Sequence, residues 1–155
     1  MSRNKVIDVC SIEDLDSLYE IERQCFTIEV YSKRVLRSYL KSSSAICLKV
    51  TVQGQIVGFV IGQVQRSEKS CQGEVVTIDV TPKFRRMGIA TLLLRRLEKE
   101  FQSRGCSRSL LQVRVDNKTA INLFHKLGYR EKERLVNYYA DGIDAFLMEK
   151  TSAGN

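Results

Sequence analysis

The chain of 155 residues has one histidine, one proline and five cysteines, none of them in a C-x-x-C pair. The cysteines, Cys10, Cys25, Cys47, Cys71 and Cys106, are odd in number and widely spaced. That pattern argues against a disulfide framework and a zinc site, and it points to a reducing cytoplasm. No apolar run approaches spanning length, and the opening segment turns acidic after a few apolar residues, so neither signal peptide nor membrane anchor is expected. No repeat or low-complexity stretch occurs. Neither GxxxxGK[ST] nor a GxGxxG following a strand is present, which removes the main support for a nucleoside triphosphate or dinucleotide site. A net charge of +7 favours anionic partners, but Lys and Arg interleave with Asp and Glu and no basic stripe carries clustered aromatics. A nucleic acid is therefore not required, and Arg95, Arg96 and Lys99 read as the solvent face of a helix.

With 43% hydrophobic residues the chain can bury a core, and its length is that of one domain, 1–150, before a short tail, 151–155, expected to be disordered. The most informative stretch is 74–101, EVVTIDVTPKFRRMGIATLLLRRLEKEF. Residues 75–80 are a β-branched run ended by Pro82; Ile89, Leu93, Leu97 and Phe101 then recur at four-residue steps. Strand, tight turn and amphipathic helix follow. The turn Arg85-Arg86-Met87-Gly88-Ile89-Ala90 opens the helix, where unpaired N–H groups and the peptide dipoles favour a phosphate. Gly88 and Ala90 lack bulk that would hold a diphosphate off the backbone, and Arg85 and Arg86 can add charge-assisted bonds.

Around this unit the chain reads as a strand at Lys5–Val9, a helix opened by Ser11 and Asp14 with Leu15, Leu18, Tyr19, Glu22 and Phe26 on one face, and a second helix capped by Ser32. Two β-rich runs, Ala45–Val52 and 55–64, meet at a Gln53-Gly54 hairpin; Gly58 and Gly62 suggest a bulge or a close backbone approach. A polar loop is expected over 65–72. Beyond the central helix come a strand at 109–115, a helix from Asn117 closed by Gly128, a strand from Tyr129, an Asp141-Gly142 turn and a last strand over 145–149.

Three signatures in order, R-x-x-G-x-A, then N-x-x-A-I-x-L-F-x-x-L-G-Y, then N-Y-Y-x-x-G-x-D-A, resemble the GNAT acetyltransferase superfamily over nearly the whole chain. The ending is similar to that of RimI-type enzymes and of archaeal and eukaryotic catalytic subunits that acetylate protein N-termini. The resemblance implies an α/β fold with a mixed, mostly antiparallel sheet of about seven strands, splayed into a V between the fourth and fifth, and about four helices. It implies acetyl-CoA as co-substrate, no metal, and the N-terminus of a protein or peptide as acceptor; it leaves open a ribosome or an auxiliary subunit as a further partner. The amides around Ile78, Asp79 and Val80 would hold pantetheine and polarise the acetyl carbonyl. The segment Arg85, Arg86, Met87, Gly88, Ile89, Ala90 and Thr91 would hold the pyrophosphate. Asn117 would meet the pantetheine or serve as a helix cap, and Phe124 would lie by the thioester.

In RimI-type enzymes a glutamate base matches Gln112 and a tyrosine acid matches Phe124. Gln112 cannot take a proton near pH 7 and Phe124 has none to give, so those roles do not carry over. Gln112 is left as a substrate contact. Glu29 is a candidate base in the connection between the first two helices, with Tyr31 shaping the acceptor pocket. Of Tyr138 and Tyr139, one should face the acceptor and the other pack away; Tyr139 is taken as catalytic and Tyr138 as substrate-binding. Asp79 could instead face the acceptor, while His125, the sole histidine, points about 100° from Phe124. A neutral lysine at pH 7 costs about 3.5 kcal/mol more than a neutral α-amine, so a site without a strong base suits N-termini. Acetylation of a lysine or small amine, and a silent acyl-CoA-binding module, are the alternatives.

Overall fold

The computed structural model describes residues 4–27 and 29–151. In chain order the elements are β1 (Lys5–Val9), α1 (Leu15–Cys25), α2 (Lys33–Lys41), β2 (Ala45–Val52), β3 (Gln55–Arg66), β4 (Cys71–Val80), α3 (Ile89–Ser103), β5 (Arg108–Arg114), α4 (Lys118–Lys126), β6 (Arg130–Leu135) and β7 (Ala145–Thr151), with 3-10 turns at Ile12–Asp14 and Pro82–Phe84. The seven strands form one sheet in the order β1-β2-β3-β4-β5-β7-β6. Only β4 and β5 run parallel; every other pair is antiparallel. This is the mixed, seven-stranded, four-helix α/β architecture expected from the sequence.

Local chemistry starts the helices where the sequence places them. The Ser11 amide donates to Asp14 Oδ2 at 2.8 Å, and the same oxygen pairs with Lys49 Nζ at 2.8 Å, pinning the start of α1 to β2. Ser32 Oγ accepts from the Val35 amide at 3.2 Å and opens α2. Buried Leu15, Leu18 and Ile21 form the inner face of α1. With Leu36 of α2 they pack on Phe59 and Ile61, making a core on one face of the sheet. On the other face Leu93, Leu97 and Phe101 of α3 and Phe124 of α4 cover Val60, Val75, Val80 and Leu111. Each such side chain taken fully from water contributes about 1.5–3 kcal/mol before entropy is counted.

Several elements differ from their sequence reading. β3 continues to Arg66 and β4 begins at Cys71, so the loop expected over 65–72 shrinks to four residues. Its polar side chains pair across the strands: Gln72 Nε2 donates to Gln65 Oε1 at 3.0 Å, and Gln65 Nε2 to Glu74 Oε1 at 3.2 Å. Thr151, assigned above to a disordered tail, is the last residue of β7 and pairs with Arg108; positions 152–155 lie outside the described residues. Cys71 and Cys106 are joined as a disulfide, with Cα atoms 4.5 Å apart, where the spacing of the cysteines argued for none. The start of β4 and the loop after α3 meet only in the folded chain, 35 residues apart in sequence.

Gly62 is a site of close approach. A Cβ there would stand 2.6 Å from Leu97 Cδ1 and 2.7 Å from Phe101 Cζ, both on the buried face of α3. The Gly62→Ala variant should therefore lose about 1–3 kcal/mol of stability through overpacking. Denaturant unfolding measures this, and unchanged stability would mean that α3 does not sit so tightly on β3.

Candidate active site

β4 and β5 stay together only briefly. Their parallel register covers Gln72 to Val75 against Arg108 to Leu111 and then stops. At that point β4 carries a bulge: Ile61 of β3 faces Thr77 and Gly62 faces Val75, so Val76 is an extra residue on its strand. Beyond it β4 continues with β3 to Val80, while β5 continues with β7 to Arg114. The gap between them is a cleft of about 500 Å³ walled by Val75, Val76, Thr77 and Ile78 on one side and Leu111, Gln112 and Val113 on the other.

The bulge also decides what β4 turns toward the gap. The Thr81 amide donates to Val57 O at 2.9 Å, which fixes the alternation of the ladder. Thr77 and Asp79 therefore turn their backbone groups to β3, and Ile78 and Val80 turn theirs to the open side. Ile78, which lines the cleft, thus presents its amide there, and Val80 presents its own on the same open edge of β4. Asp79 does not: its amide faces β3, and its side chain is 1% exposed beneath α1.

Past Val80 the chain turns into α3 through Arg86 and Gly88, both at positive φ (63° and 78°). No side chain caps α3. A Cβ at Gly88 would meet nothing within 4 Å, so the glycine serves the left-handed turn and leaves open space above the helix end. Uncapped amides from Gly88 through Ala90 and Thr91 beside an open concavity fit a diphosphate. Arg86 and Met87 are exposed at its rim, whereas the Ile89 side chain is in the core and offers only its amide. The Arg85 guanidinium is occupied: Nε donates to Val80 O at 3.1 Å, and a terminal nitrogen lies 3.6 Å from Cys25 Sγ. Across the gap, Asn117 Oδ1 accepts from the Ala120 amide at 3.2 Å, a helix cap that also lines the cleft, and Phe124 lies edge-on to Tyr129 in the cleft floor.

The opposite end of the cleft is lined by Phe26, Glu29, Tyr31 and Tyr139. Glu29, at φ 60°, holds the Ala140 amide through Oε1 at 2.9 Å, tying the α1–α2 connection to the β6–β7 loop. Tyr139 faces the cleft with Arg114 over its ring at 5.3 Å; Tyr138 meets it edge-on at 5.0 Å and is 46% exposed. Burial first, then the neighbouring Tyr138 hydroxyl, push the Tyr139 hydroxyl up to about 12. The Tyr31 and Tyr138 hydroxyls are also raised, chiefly by burial. His125 turns away from the cleft and pairs with Glu131 of β6.

Two groups escaped sequence reading. Glu74 sits where the two strands still pair, and its Oε2 accepts from Gln112 Nε2 at 3.1 Å. The bond fixes the Gln112 amide in the cleft wall, and its Oε1 receives no donor among the described residues. Glu22 of α1 is 1% exposed, lines the cleft, and accepts the Tyr31 amide through Oε2 at 2.9 Å. Glu22 gave the sequence signal of a helix-face residue only, and Glu74 that of a strand start. Among the described residues no cluster of three or more His, Cys, Asp or Glu could hold a metal, and no helix is long and apolar enough to cross a membrane.

Comparison with known proteins agrees with this geometry. An N-alpha-acetyltransferase of Sulfurisphaera tokodaii is 34% identical over 146 residues, which cover 88% of this chain and 87% of the relative. An N-acetyltransferase of Methanocaldococcus jannaschii is 33% identical over 147 residues, 94% of this chain and 90% of the relative. The crystal structure of the ribosomal-protein-S18-alanine N-acetyltransferase of Escherichia coli superposes with a TM-score of 0.83 at 27% identity, over 98% of this chain and 97% of that one. Residues 15–129 match the acetyltransferase (GNAT) family, and with a strand pair that parts at a bulge, an uncapped helix beyond it and relatives aligned along most of their length, the chain belongs to that family.

Proposed function

We propose that this chain, as one catalytic domain over residues 1–150, transfers the acetyl group of acetyl-CoA to the α-amino group of protein N-termini. The observation that carries the reading is the Gln112–Glu74 hydrogen bond at 3.1 Å, which leaves an amide oxygen facing the acceptor side of a cleft whose other wall presents two amides. The relatives named N-alpha-acetyltransferase support the choice of acceptor. A cytoplasmic setting belongs to the same reading; the unpaired Cys10, Cys25 and Cys47 support it, and the Cys71–Cys106 pair does not.

Acetyl-CoA, when bound, supplies the acetyl thioester. The amides of Gly88 to Thr91 hold its diphosphate, aided by Arg86, and the Ile78 and Val80 N–H groups point where negative charge develops on the acetyl oxygen. Arg85 acts indirectly by holding the Val80 carbonyl and so the end of β4. Gln112 Oε1 accepts an N–H of the incoming amine and orients its lone pair, with Glu74 behind it to favour the developing positive charge and to take up the released proton through water in the cleft. Tyr139, still protonated far above neutral pH, donates to the departing sulfur. Glu29 serves as a strap to Ala140 that shapes the acceptor end together with Tyr31 and Tyr138. A neutral α-amine is about 3.5 kcal/mol easier to present at pH 7 than a neutral lysine, which favours N-termini.

Three outcomes follow. A peptide with a free N-terminus should be acetylated faster than the same peptide blocked at its N-terminus with one lysine free, as read by mass spectrometry; the reverse order would remove the reading. The rate with saturating acetyl-CoA should climb with pH along the acceptor's own ionisation, near about 7.8. Glu74→Gln and Tyr139→Phe should each lower kcat/KM by about 10²-fold, whereas Glu29→Gln, which keeps an oxygen for the Ala140 amide, should cost less than tenfold. A larger loss for Glu29→Gln than for Glu74→Gln in steady-state kinetics would return the proton acceptor to Glu29.

A further inference from the structure

Beneath the cleft, on the acceptor side of the sheet, two carboxyl groups meet with no cation between them. Glu22 of α1 and Asp79 of β4 are each 1% exposed. They lie within hydrogen-bonding reach of each other, yet among the described residues Glu22 Oε1 and Asp79 Oδ2 receive no donor from any other group. Their remaining oxygens are committed. Glu22 Oε2 holds the Tyr31 amide at 2.9 Å, and Asp79 Oδ1 holds Thr77 Oγ1 at 2.6 Å. Two carboxylates so placed cannot both be charged, and a single proton satisfies both orphan oxygens at once.

We propose that Glu22 and Asp79 form a one-proton carboxyl pair that fastens the acceptor turn bearing Glu29 and Tyr31 to β4, setting the acceptor amine in register with the strand that faces the thioester. The proposal rests on the N-terminal acetyltransferase reading above. The linkage is continuous: Asp79 stands between Ile78 and Val80, whose amides face the gap; its proton reaches Glu22; Glu22 holds Tyr31; and Glu29, two residues earlier, holds Ala140. The two carboxyl groups share the proton, and Asp79 is the member whose hold on it the fold raises. Burial raises its carboxyl well above the usual range, and the hydrogen bond and charge of Glu22 raise it further. Thr77 from its own strand and Arg85 from the turn before α3 oppose this. Cys25 is the other titratable α1 side chain near it, and the β3 residue opposite, Phe59, carries no charge.

Because the folded value is raised, the stability that the pair contributes is fully present below the ordinary aspartate range, and it is lost as pH rises through the folded value of Asp79. Two charges then repel, and Tyr31 is released. Glu22 and Asp79 are thus positioning residues, and their effect falls on acceptor binding rather than on acetyl-CoA.

The test combines amide hydrogen exchange at Tyr31 with acceptor and acetyl-CoA KM values between about pH 6 and 10, for wild type, Asp79→Asn, Asp79→Ala and Glu22→Gln. The asparagine keeps a donor toward Glu22 and cannot lose it to base. The glutamine can offer its nitrogen to Asp79 and its oxygen to Tyr31. Asp79→Asn should preserve the Tyr31 protection factor and acceptor KM across the range. Asp79→Ala should raise acceptor KM about tenfold and lower Tyr31 protection at all pH values, with acetyl-CoA KM unchanged. Wild type should resemble Asp79→Asn at the acid end and drift toward Asp79→Ala at the alkaline end; Glu22→Gln should not drift. Equal damage from asparagine and alanine, or Tyr31 protection in wild type that is flat with pH, would overturn the pair. If Asp79→Ala does not fold, wild type and Asp79→Asn still decide it. Absence of acetyl transfer by wild type to any peptide would count against the acceptor reading instead, and the exchange data would remain valid.

Discussion

One extra residue in β4 governs the architecture of the site. With Val76 bulged out, the backbone hydrogen bonds that join β4 to β5 as far as Val75 and Leu111 cannot continue, and the two strands take different partners. A sheet rarely tolerates unpaired amides in its middle, because each one left dry costs about 1–3 kcal/mol. Here the amide of Ile78 is left facing a cleft and that of Val80 lies on the same open edge, where an acyl oxygen can satisfy them. The bulge also puts Val76 and Thr77 on the same face in succession, which carries Asp79 under α1 to Glu22 while Ile78 and Val80 stay on the α3 side. In the proposed mechanism the same irregularity separates a cofactor side from an acceptor side.

The two sides differ in charge. At the proposed diphosphate end stand the uncapped start of α3 and the exposed side chain of Arg86, with Arg85 bracing the turn. At the acceptor end stand Glu74, Glu29 and Glu22, each tied by a hydrogen bond to a backbone amide or to Gln112 rather than to a cation. Carboxylates held by neutral donors keep their field available to an incoming ammonium, whereas an Arg or Lys partner would cancel it. A net charge of +7 on the whole chain therefore says little about what the acceptor end attracts.

Much of this was legible in the sequence, and the rest was hidden for definite reasons. The strand, turn and helix from Val75 to Phe101 show themselves by β-branched residues, Pro82 and a four-residue apolar repeat, and the caps Ser32 and Asn117 lie where short polar side chains precede apolar periodicity. The polar ends of β3 and β4 read as loop because Gln65, Gln72 and Glu74 satisfy one another across strands, which a linear pattern does not reveal. Arg85 looked like a phosphate ligand because its charge is visible and its bond to the Val80 carbonyl is not. Glu22 and Asp79 looked like an ordinary helix residue and a strand residue of uncertain facing; their meeting depends on where α1 lies and on the register shift at Val76. Residue types announce elements, but partners across 38 or 57 positions emerge only from packing.

The central claim is that the bulge leaves Ile78 and Val80 to hold the acetyl oxygen, with Gln112 and Glu74 opposite to receive the amine. A crystal structure with a peptide joined through its α-nitrogen to coenzyme A examines this most directly. The expected result is the diphosphate on the amides from Gly88 to Thr91, the linking carbonyl oxygen within hydrogen-bond distance of the Ile78 or Val80 amide, and the linking nitrogen beside Gln112 Oε1. A conjugate lying outside the gap between β4 and β5, or threaded through it with the nitrogen turned away from Gln112, would contradict it.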